Sequence, residues 1–216
     1  MALPRAFSIC HNPPDTGGWN IRIVHALAAV ALAGLTIATP VTAVAQQRIE
    51  NPEGTWIHAS TDTVFPRVIG MAERTSITEF DSDGNDVGVG YSYKDDNGVL
   101  VLTVYVYPVI PEFDCKQTYA DSKLAIDRYE GSELLSEMTT YEAGDDSDGE
   151  AHFGRYYIPA GAMRPGYPEM VSDVFLYCPA GSGYLVKYRA SWNGLESTFP
   201  DVSAMMRQIG WGESVD

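Results

Sequence analysis

The sequence is poor in basic residues, in histidine and in cysteine. It has 14 lysine and arginine residues against 29 aspartate and glutamate residues, which gives a formal net charge of −15. Nucleic acids and anionic membrane surfaces attract proteins through basic patches, so this balance argues against both as partners. It suits a soluble protein that stays dispersed by self-repulsion.

The common catalytic motifs are also absent. Only His58 and His152 follow the apolar leader, and neither belongs to an HxxxH or HExxH zinc pattern. There is no G-x-S-x-G, and Ser182 lies between two predicted strands rather than in a strand–turn–helix elbow. The sequence therefore favours a non-catalytic protein without a cofactor. The alternative is a small hydrolase that uses His152 or His58 with nearby carboxylates.

The first 45 residues have the layout of a secretory signal peptide with an extended polar start. Arg22 provides the basic flank, His25–Ala38 the apolar run, and Ala43-Val44-Ala45 a small-x-small cleavage site. A retained anchor is the alternative, but the apolar run is shorter than the ~20 residues of a spanning helix. We expect a periplasmic or secreted protein whose mature chain has no membrane span.

The sequence predicts that the chain divides into four segments. We predict a signal peptide at 1–45, a flexible start at 46–54, one α+β domain at 55–212 and a tail at 213–216.

Export leaves two cysteines, Cys115 and Cys178. An even pair in an oxidising compartment predicts a disulfide, and two buried free thiols are the alternative. In the chain-entropy model such a bridge stabilises the fold by on the order of 4 kcal/mol.

One apolar segment organises the predicted fold. Val99–Pro108, VLVLTVYVYP, is apolar on both faces of a strand, so we expect a central strand covered on both sides. Ala72–Phe80 and Val87–Tyr93 precede it and complete an antiparallel meander. The face of glycines in VGVGYSY predicts a close approach by another element.

The remaining elements surround this meander. The sequence predicts a helix that begins at Cys115 after an Asp114 cap and ends at Gly131. The other expected elements are strands at Leu134–Ala143, Ala151–Ile158, Met170–Cys178 and Tyr184–Trp192, and a helix at Pro200–Ile209. The predicted fold class is α+β, with a single mainly antiparallel sheet packed by two helices.

Two acidic turns are candidates for Ca²⁺ binding. Asp81, Asp83 and Asp86 resemble part of a calcium loop, and a second acidic turn spans 144–150. The glycine falls too early for an EF-hand, so solvated hairpin turns are the plainer interpretation. A Ca²⁺-binding exported protein is therefore a further alternative.

Tyrosines and cations recur together near the irregular loop at Pro159–Glu169. Arg155, Tyr157, Arg164 and Tyr167 are predicted to form a surface for an anionic or aromatic ligand or a partner chain. Lys187 and Arg189 accompany tyrosines on the following strand. The alternative is that these tyrosines only fill strand positions.

The segments FPRVIGM, VGVGYSY, VLTVYVYP and YLVKYRASW, with a helix near Cys115, resemble the PsbP-like fold. The layout is also similar to that of short exported bacterial proteins. The resemblance implies a binding or assembly module without catalysis, with an unknown protein or small-molecule ligand in the cell envelope. The acidic turns and the cysteine pair are not part of that pattern.

Overall fold

A computed structural model describes residues 46–96, 98–110, 114–141, 149–179, 182–193, 200–212 and 215. All of them belong to one compact unit. The predicted signal peptide at 1–45 and most of the predicted tail lie outside the described residues. The strands are β1 (Gln47–Ile49), β2 (Trp56–His58), β3 (Thr63–Phe65), β4 (Val68–Ile69), β5 (Ala72–Glu79), β6 (Val87–Asp95), β7 (Gly98–Pro108), β8 (Glu133–Tyr141), β9 (Glu150–Ile158), β10 (Met170–Cys178) and β11 (Tyr184–Asn193). The helices are α1 (Cys115–Asp127) and α2 (Val202–Met206).

One antiparallel sheet of nine strands dominates the fold. Its order is β1-β5-β6-β7-β11-β10-β9-β8, with β4 also paired to β5, while β2 and β3 form a separate two-stranded sheet. The predicted α+β class, a sheet packed by two helices, is wrong, because the described residues are mostly β. The predicted helix at Pro200–Ile209 is reduced to the five residues of α2. Among the described residues, no helix is both long and apolar enough to span a membrane.

β7 lies inside the sheet, as the sequence predicts, but only one of its faces is covered. It lies inside the sheet between β6 and β11. Leu100, Leu102 and Val104 are buried on one face, whereas Val101 on the other face is 47% exposed. The expectation that both faces are covered is therefore wrong, because α1 packs on β9 and β10 instead of on β7.

The two faces of the sheet carry separate cores. On the first face, which we call the α2 face, Val202, Met205 and Met206 of α2 join the buried residues of β5, β6, β7 and β11. On the opposite, α1 face, Tyr119 and Ile126 of α1 pack with buried residues of β9 and β10.

Local capping explains where α1 begins and ends. The side chain of Asp114 accepts a hydrogen bond from the backbone N–H of Gln117, as the sequence predicts. The helix ends at Asp127 with Arg128 as its C-cap, so the predicted end at Gly131 is wrong, and Gly131, with a left-handed φ of +76°, lies in the turn that follows. Cys115, the first residue of α1, is bonded to Cys178, the last residue of β10, with the sulfurs 2.00 Å apart. The predicted cysteine pair thus anchors the helix to the sheet.

Candidate functional site

The uncovered part of the α1 face forms a groove. Within it, β7 and β11 pair so that Thr103 lies opposite Arg189 and Val101 opposite Ser191. The loop at 159–169 borders these strands, and the enclosed volume is about 830 Å³. This volume lies in the range of small-molecule sites. The groove is thus the direct result of α1 leaving β7 bare.

Much of the groove lining is apolar or aromatic. These side chains are Val99, Val101, Tyr105, Met163, Tyr167 and Met170. Exposed apolar surface of this kind gains free energy when a ligand removes it from water.

Arg189 supplies the most distinctive polar group in the groove. Its Nε donates a hydrogen bond to Ser172 Oγ at 3.3 Å, and its Cζ lies 5.3 Å from the ring centroid of Tyr129. Its Nη2 atom is buried and has no hydrogen-bond partner among the described residues. Because buried polar groups are almost always paired, this guanidinium nitrogen has unmet hydrogen-bonding capacity next to the groove.

A second arginine lies on the loop side of the groove. Arg164 stacks on Tyr167, with its Cζ 4.2 Å from the ring centroid, and its Nη2 donates to the Tyr167 hydroxyl at 2.6 Å. Within the described part of the chain, neither Arg164 nor Arg189 has a carboxylate within 4.0 Å. Both positive charges are therefore free to interact with an anion.

The carboxylates of the groove lie at the β6–β7 hairpin. Asp95 accepts hydrogen bonds from the backbone N–H of Gly98 at 3.0 Å and from the Tyr93 hydroxyl at 2.9 Å. Asp96 is exposed beside it. These contacts tie Asp95 to the turn at one end of the groove.

Lys187 adds positive charge beside the groove without lining it. It lies opposite Tyr105 in the β7–β11 pair, with its Nζ 4.6 Å from the Tyr105 ring centroid and 5.5 Å from that of Tyr107. Burial lowers the pKa of Lys187, and the charge of Asp86 opposes this effect.

The structure divides the predicted patch between the two faces of the sheet. Arg164 and Tyr167 line the groove, but Arg155 and Tyr157 project from the α2 face because strand residues alternate. Arg155 makes a two-point ion pair with Asp173, with distances of 2.8 and 2.9 Å. The Tyr157 hydroxyl donates to Glu169 at 3.0 Å.

The sequence places Arg189 beside tyrosines near the same loop, but the predicted patch of Arg155, Tyr157, Arg164 and Tyr167 does not include it. Its role depends on the strand register, which aligns residues far apart in the chain. The one sequence signal for Arg189 is that it follows Tyr188. Because neighbouring residues of a strand point to opposite faces, this signal places Arg189 on the wrong face of the sheet.

His58 is a structural residue. It is 1% exposed, its Nε2 donates to the Gly84 carbonyl at 2.9 Å, and its Nδ1 accepts from the Thr61 hydroxyl at 2.7 Å. Burial lowers its pKa. His58 therefore links β2 to the acidic turn and does not line the groove.

His152 is buried beneath α1. Tyr119 stacks on it with a centroid distance of 4.7 Å, and its Nδ1 lies 3.0 Å from Thr139 Oγ1. Its Nε2 is 3.1 Å from Glu150 Oε1. The Glu150 carboxylate is thus close to His152, as the hydrolase alternative requires, but neither His152 nor Glu150 lines the groove.

The acidic turn uses its carboxylates to stabilise itself. Asp81 Oδ1 accepts the backbone N–H groups of Asn85 at 2.9 Å and Asp86 at 3.2 Å. Burial raises the pKa of Asp86. Among the described residues, Asp81, Asp83 and Asp86 do not bring three ligand oxygens within 4.8 Å of one another. Most of the second acidic turn, 142–148, lies outside the described residues.

A second groove lies on the α2 face, with a volume of about 520 Å³. Phe175, Tyr177, Met206, Trp211 and Val215 line it. Arg207 is the cation in its described lining, and it lies 4.0 Å from Asp201. This groove is smaller and its cation already has an acidic neighbour, so it is a useful internal control.

Comparison of the chain with family models finds no match, and comparisons with curated proteins and with solved structures find none either.

Proposed function

We propose that this chain is an exported, non-catalytic binding protein for an organic anion that has an apolar body. The ligand lies in the groove between β7, β11 and the 159–169 loop. The observation that carries the proposal is Arg189 Nη2, a buried guanidinium nitrogen without a hydrogen-bond partner in the described chain.

The net negative charge of the whole chain opposes anion binding. A protein with a formal net charge of −15 repels anions at long range. Anion binding therefore needs local donors, and Arg164 and Arg189 supply them with no carboxylate of the described residues within 4.0 Å. A hydrogen bond that involves a charged group contributes about 1.5–3 kcal/mol.

The apolar lining indicates the rest of the ligand. Val101 remains 47% exposed, and Met163 and Met170 border the same space. A ligand that covers them gains roughly 25 cal/mol for each Å² of apolar surface removed from water. Inorganic ions cover little apolar surface, so the groove suits a larger organic anion.

The same groove supports a binding role over the hydrolase alternative. Its described lining contains no histidine and no cysteine, and both His58 and His152 are buried elsewhere. The export part of the proposal rests on the leader at 1–45, and the binding class agrees with the PsbP-like resemblance.

Two dyes with matched rings test the proposal. 8-Anilinonaphthalene-1-sulfonate carries a sulfonate, whereas N-phenyl-1-naphthylamine has the same ring system without a charge. We expect the wild type to bind the sulfonate more tightly. Arg189→Gln is expected to weaken sulfonate binding by about tenfold to a hundredfold and to leave binding of the neutral dye nearly unchanged. Fluorescence titration measures both affinities.

Arg207→Gln is the matched control, because it removes a cation from the second groove. It is expected to leave both dye affinities unchanged. Equal sulfonate affinity for Arg189→Gln and wild type would contradict the proposal. So would a larger loss in Arg207→Gln than in Arg189→Gln.

A further inference from the structure

A second group of reactive side chains lies under α1, away from the groove. Cys115, Glu150 and His152 each place a potential ligand atom within 4.8 Å of the others. Cys178 is not one of these three, but its sulfur is bonded to that of Cys115. The proposed binding function makes no use of these four side chains, which we call the Cys–His cluster.

Two atoms of the cluster have unmet hydrogen-bonding capacity. His152 is 4% exposed, and both its Nε2 and Glu150 Oε1 are buried. The two atoms lie 3.1 Å apart, but their alignment is not that of a hydrogen bond, so neither has a hydrogen-bond partner in the described chain. Orphaned groups of this kind are rare in folded proteins and indicate a missing ion or water.

The surroundings of His152 resemble those of a metal ligand. Its Nδ1 lies 3.0 Å from Thr139 Oγ1, a contact that fixes the ring, and a ring nitrogen lies within 4.8 Å of the Cys115 sulfur. Metal-binding histidines usually have such a partner on the second nitrogen. Tyr119 stacks on the ring and shields it from water.

We propose that reduction of the Cys115–Cys178 disulfide converts this cluster into a Zn²⁺ site. Its ligands are Cys115 Sγ, Cys178 Sγ, His152 Nε2 and a Glu150 carboxylate oxygen. Two thiolates, an imidazole and a carboxylate make up the donor set of a closed, four-coordinate zinc site. In the oxidised chain the sulfurs are bonded to each other and are not thiolates, so the site exists only after reduction.

The ion takes over the structural role of the disulfide. Cys115 begins α1, Cys178 ends β10, and Glu150 and His152 belong to β9. The disulfide ties α1 to β10, and zinc bound to all four side chains would tie α1 to both β9 and β10.

The chemistry requires a reductant, and a water-soluble phosphine supplies it. Phosphorus gives two electrons to the S–S bond, which breaks. Water then provides the oxygen of the phosphine oxide and the two protons of the thiols. Zinc binding displaces both thiol protons to solvent. The reduced chain is separated from the phosphine before metal is added.

Cobalt replaces zinc as the spectroscopic probe. We expect the reduced full chain carrying Cys10→Ser, which removes the cysteine of the predicted leader, to bind one Co²⁺, with thiolate-to-cobalt charge-transfer absorption and the visible bands of tetrahedral cobalt. Zn²⁺ is expected to displace it, and the oxidised chain is expected to show neither band. A reduced chain that retains its near-ultraviolet circular dichroism but gives no such spectrum would overturn the proposal.

His152→Gln tests the ligand set, with His58→Gln as the matched buried-histidine control. We expect at least a tenfold loss of Co²⁺ affinity in the first variant and none in the second. Equal affinities in the two variants would overturn the assignment. If His152→Gln does not fold, proton NMR of the wild-type Co²⁺ form decides. One hyperfine-shifted, exchangeable imidazole N–H supports the site, and its absence refutes it.

Discussion

At the residue scale, stability depends on a buried arginine that has no acidic partner in the described chain. Arg74 is 0% exposed, and its Nε donates to Asn51 Oδ1 at 2.8 Å. Its Nη2 donates to the carbonyls of Pro52 and Gly54 at 2.8 and 2.7 Å, and its Nη1 donates to the Phe65 carbonyl. One side chain thus holds the segment before β2 and the end of β3 against β5.

Arg74→Lys is expected to destabilise the protein by about 3 kcal/mol. An ammonium group has no planar fork, so several buried carbonyls lose their donor. Urea unfolding followed by circular dichroism measures the change. Arg48→Lys is the control, because Arg48 is exposed and makes one hydrogen bond among the described residues, to the Thr75 carbonyl at 2.8 Å. Equal losses in the two variants would contradict this role for Arg74.

The importance of Arg74 could not be predicted from the sequence. In the alternating pattern AERTSITE, Ala72, Arg74 and Ser76 share a strand face, and Ile77 falls on the other. The structure has a register shift between Arg74 and Ser76, so that Arg74 and Ile77 are both fully buried. A β-bulge adds one residue, and strict period 2 does not anticipate it.

At the element scale, glycines on β6 let aromatic rings lie directly on the sheet. A Cβ atom on Gly88 would lie 2.9 Å from Phe80 Cε2 and 3.2 Å from the ring of Tyr105. Such contacts are closer than packed atoms tolerate, so the rings and a side chain cannot occupy the same space. The sequence predicts this close approach from the glycine face of VGVGYSY.

Gly88→Ala is therefore expected to lower the free energy of unfolding by about 1–3 kcal/mol, the usual range for overpacking. Gly183→Ala is the control, because a Cβ atom on Gly183 would meet no described atom within 4 Å and the φ of this residue is not left-handed. Thermal unfolding compares the two. A Gly88→Ala protein as stable as Gly183→Ala would show that the rings move aside freely.

Most strand positions could be predicted, whereas the layers around them could not. Met170–Cys178 has the predicted bounds, and the β5–β6–β7 meander forms as expected. The alternation of residues shows which face of a strand is less polar, but it does not show how deeply that face is buried. Thr103, Tyr105 and Tyr107 fit the pattern of a covered face, yet they are only half-buried. The α+β assignment is wrong because it counted those residues as evidence for a covering helix.

At the scale of the whole molecule, the groove depends on strand register. Arg164 and Arg189 are separated along the chain, and they line the same groove because β11 pairs with β7 beside the loop that leads into β10. Sequence patterns indicate strands but not which strands pair, so Arg164 and Tyr167 could be selected and Arg189 could not. Because α1 does not cover this part of the sheet, the groove stays open to a ligand.

The location of the bound anion tests the account most directly. Intermolecular nuclear Overhauser effects between 8-anilinonaphthalene-1-sulfonate and methyl groups of the wild-type protein identify the occupied groove. We expect ring contacts to the methyl groups of Val101 and Met170, which line the groove on the α1 face. Contacts only to Met206 and Val215, which line the second groove, would contradict the account.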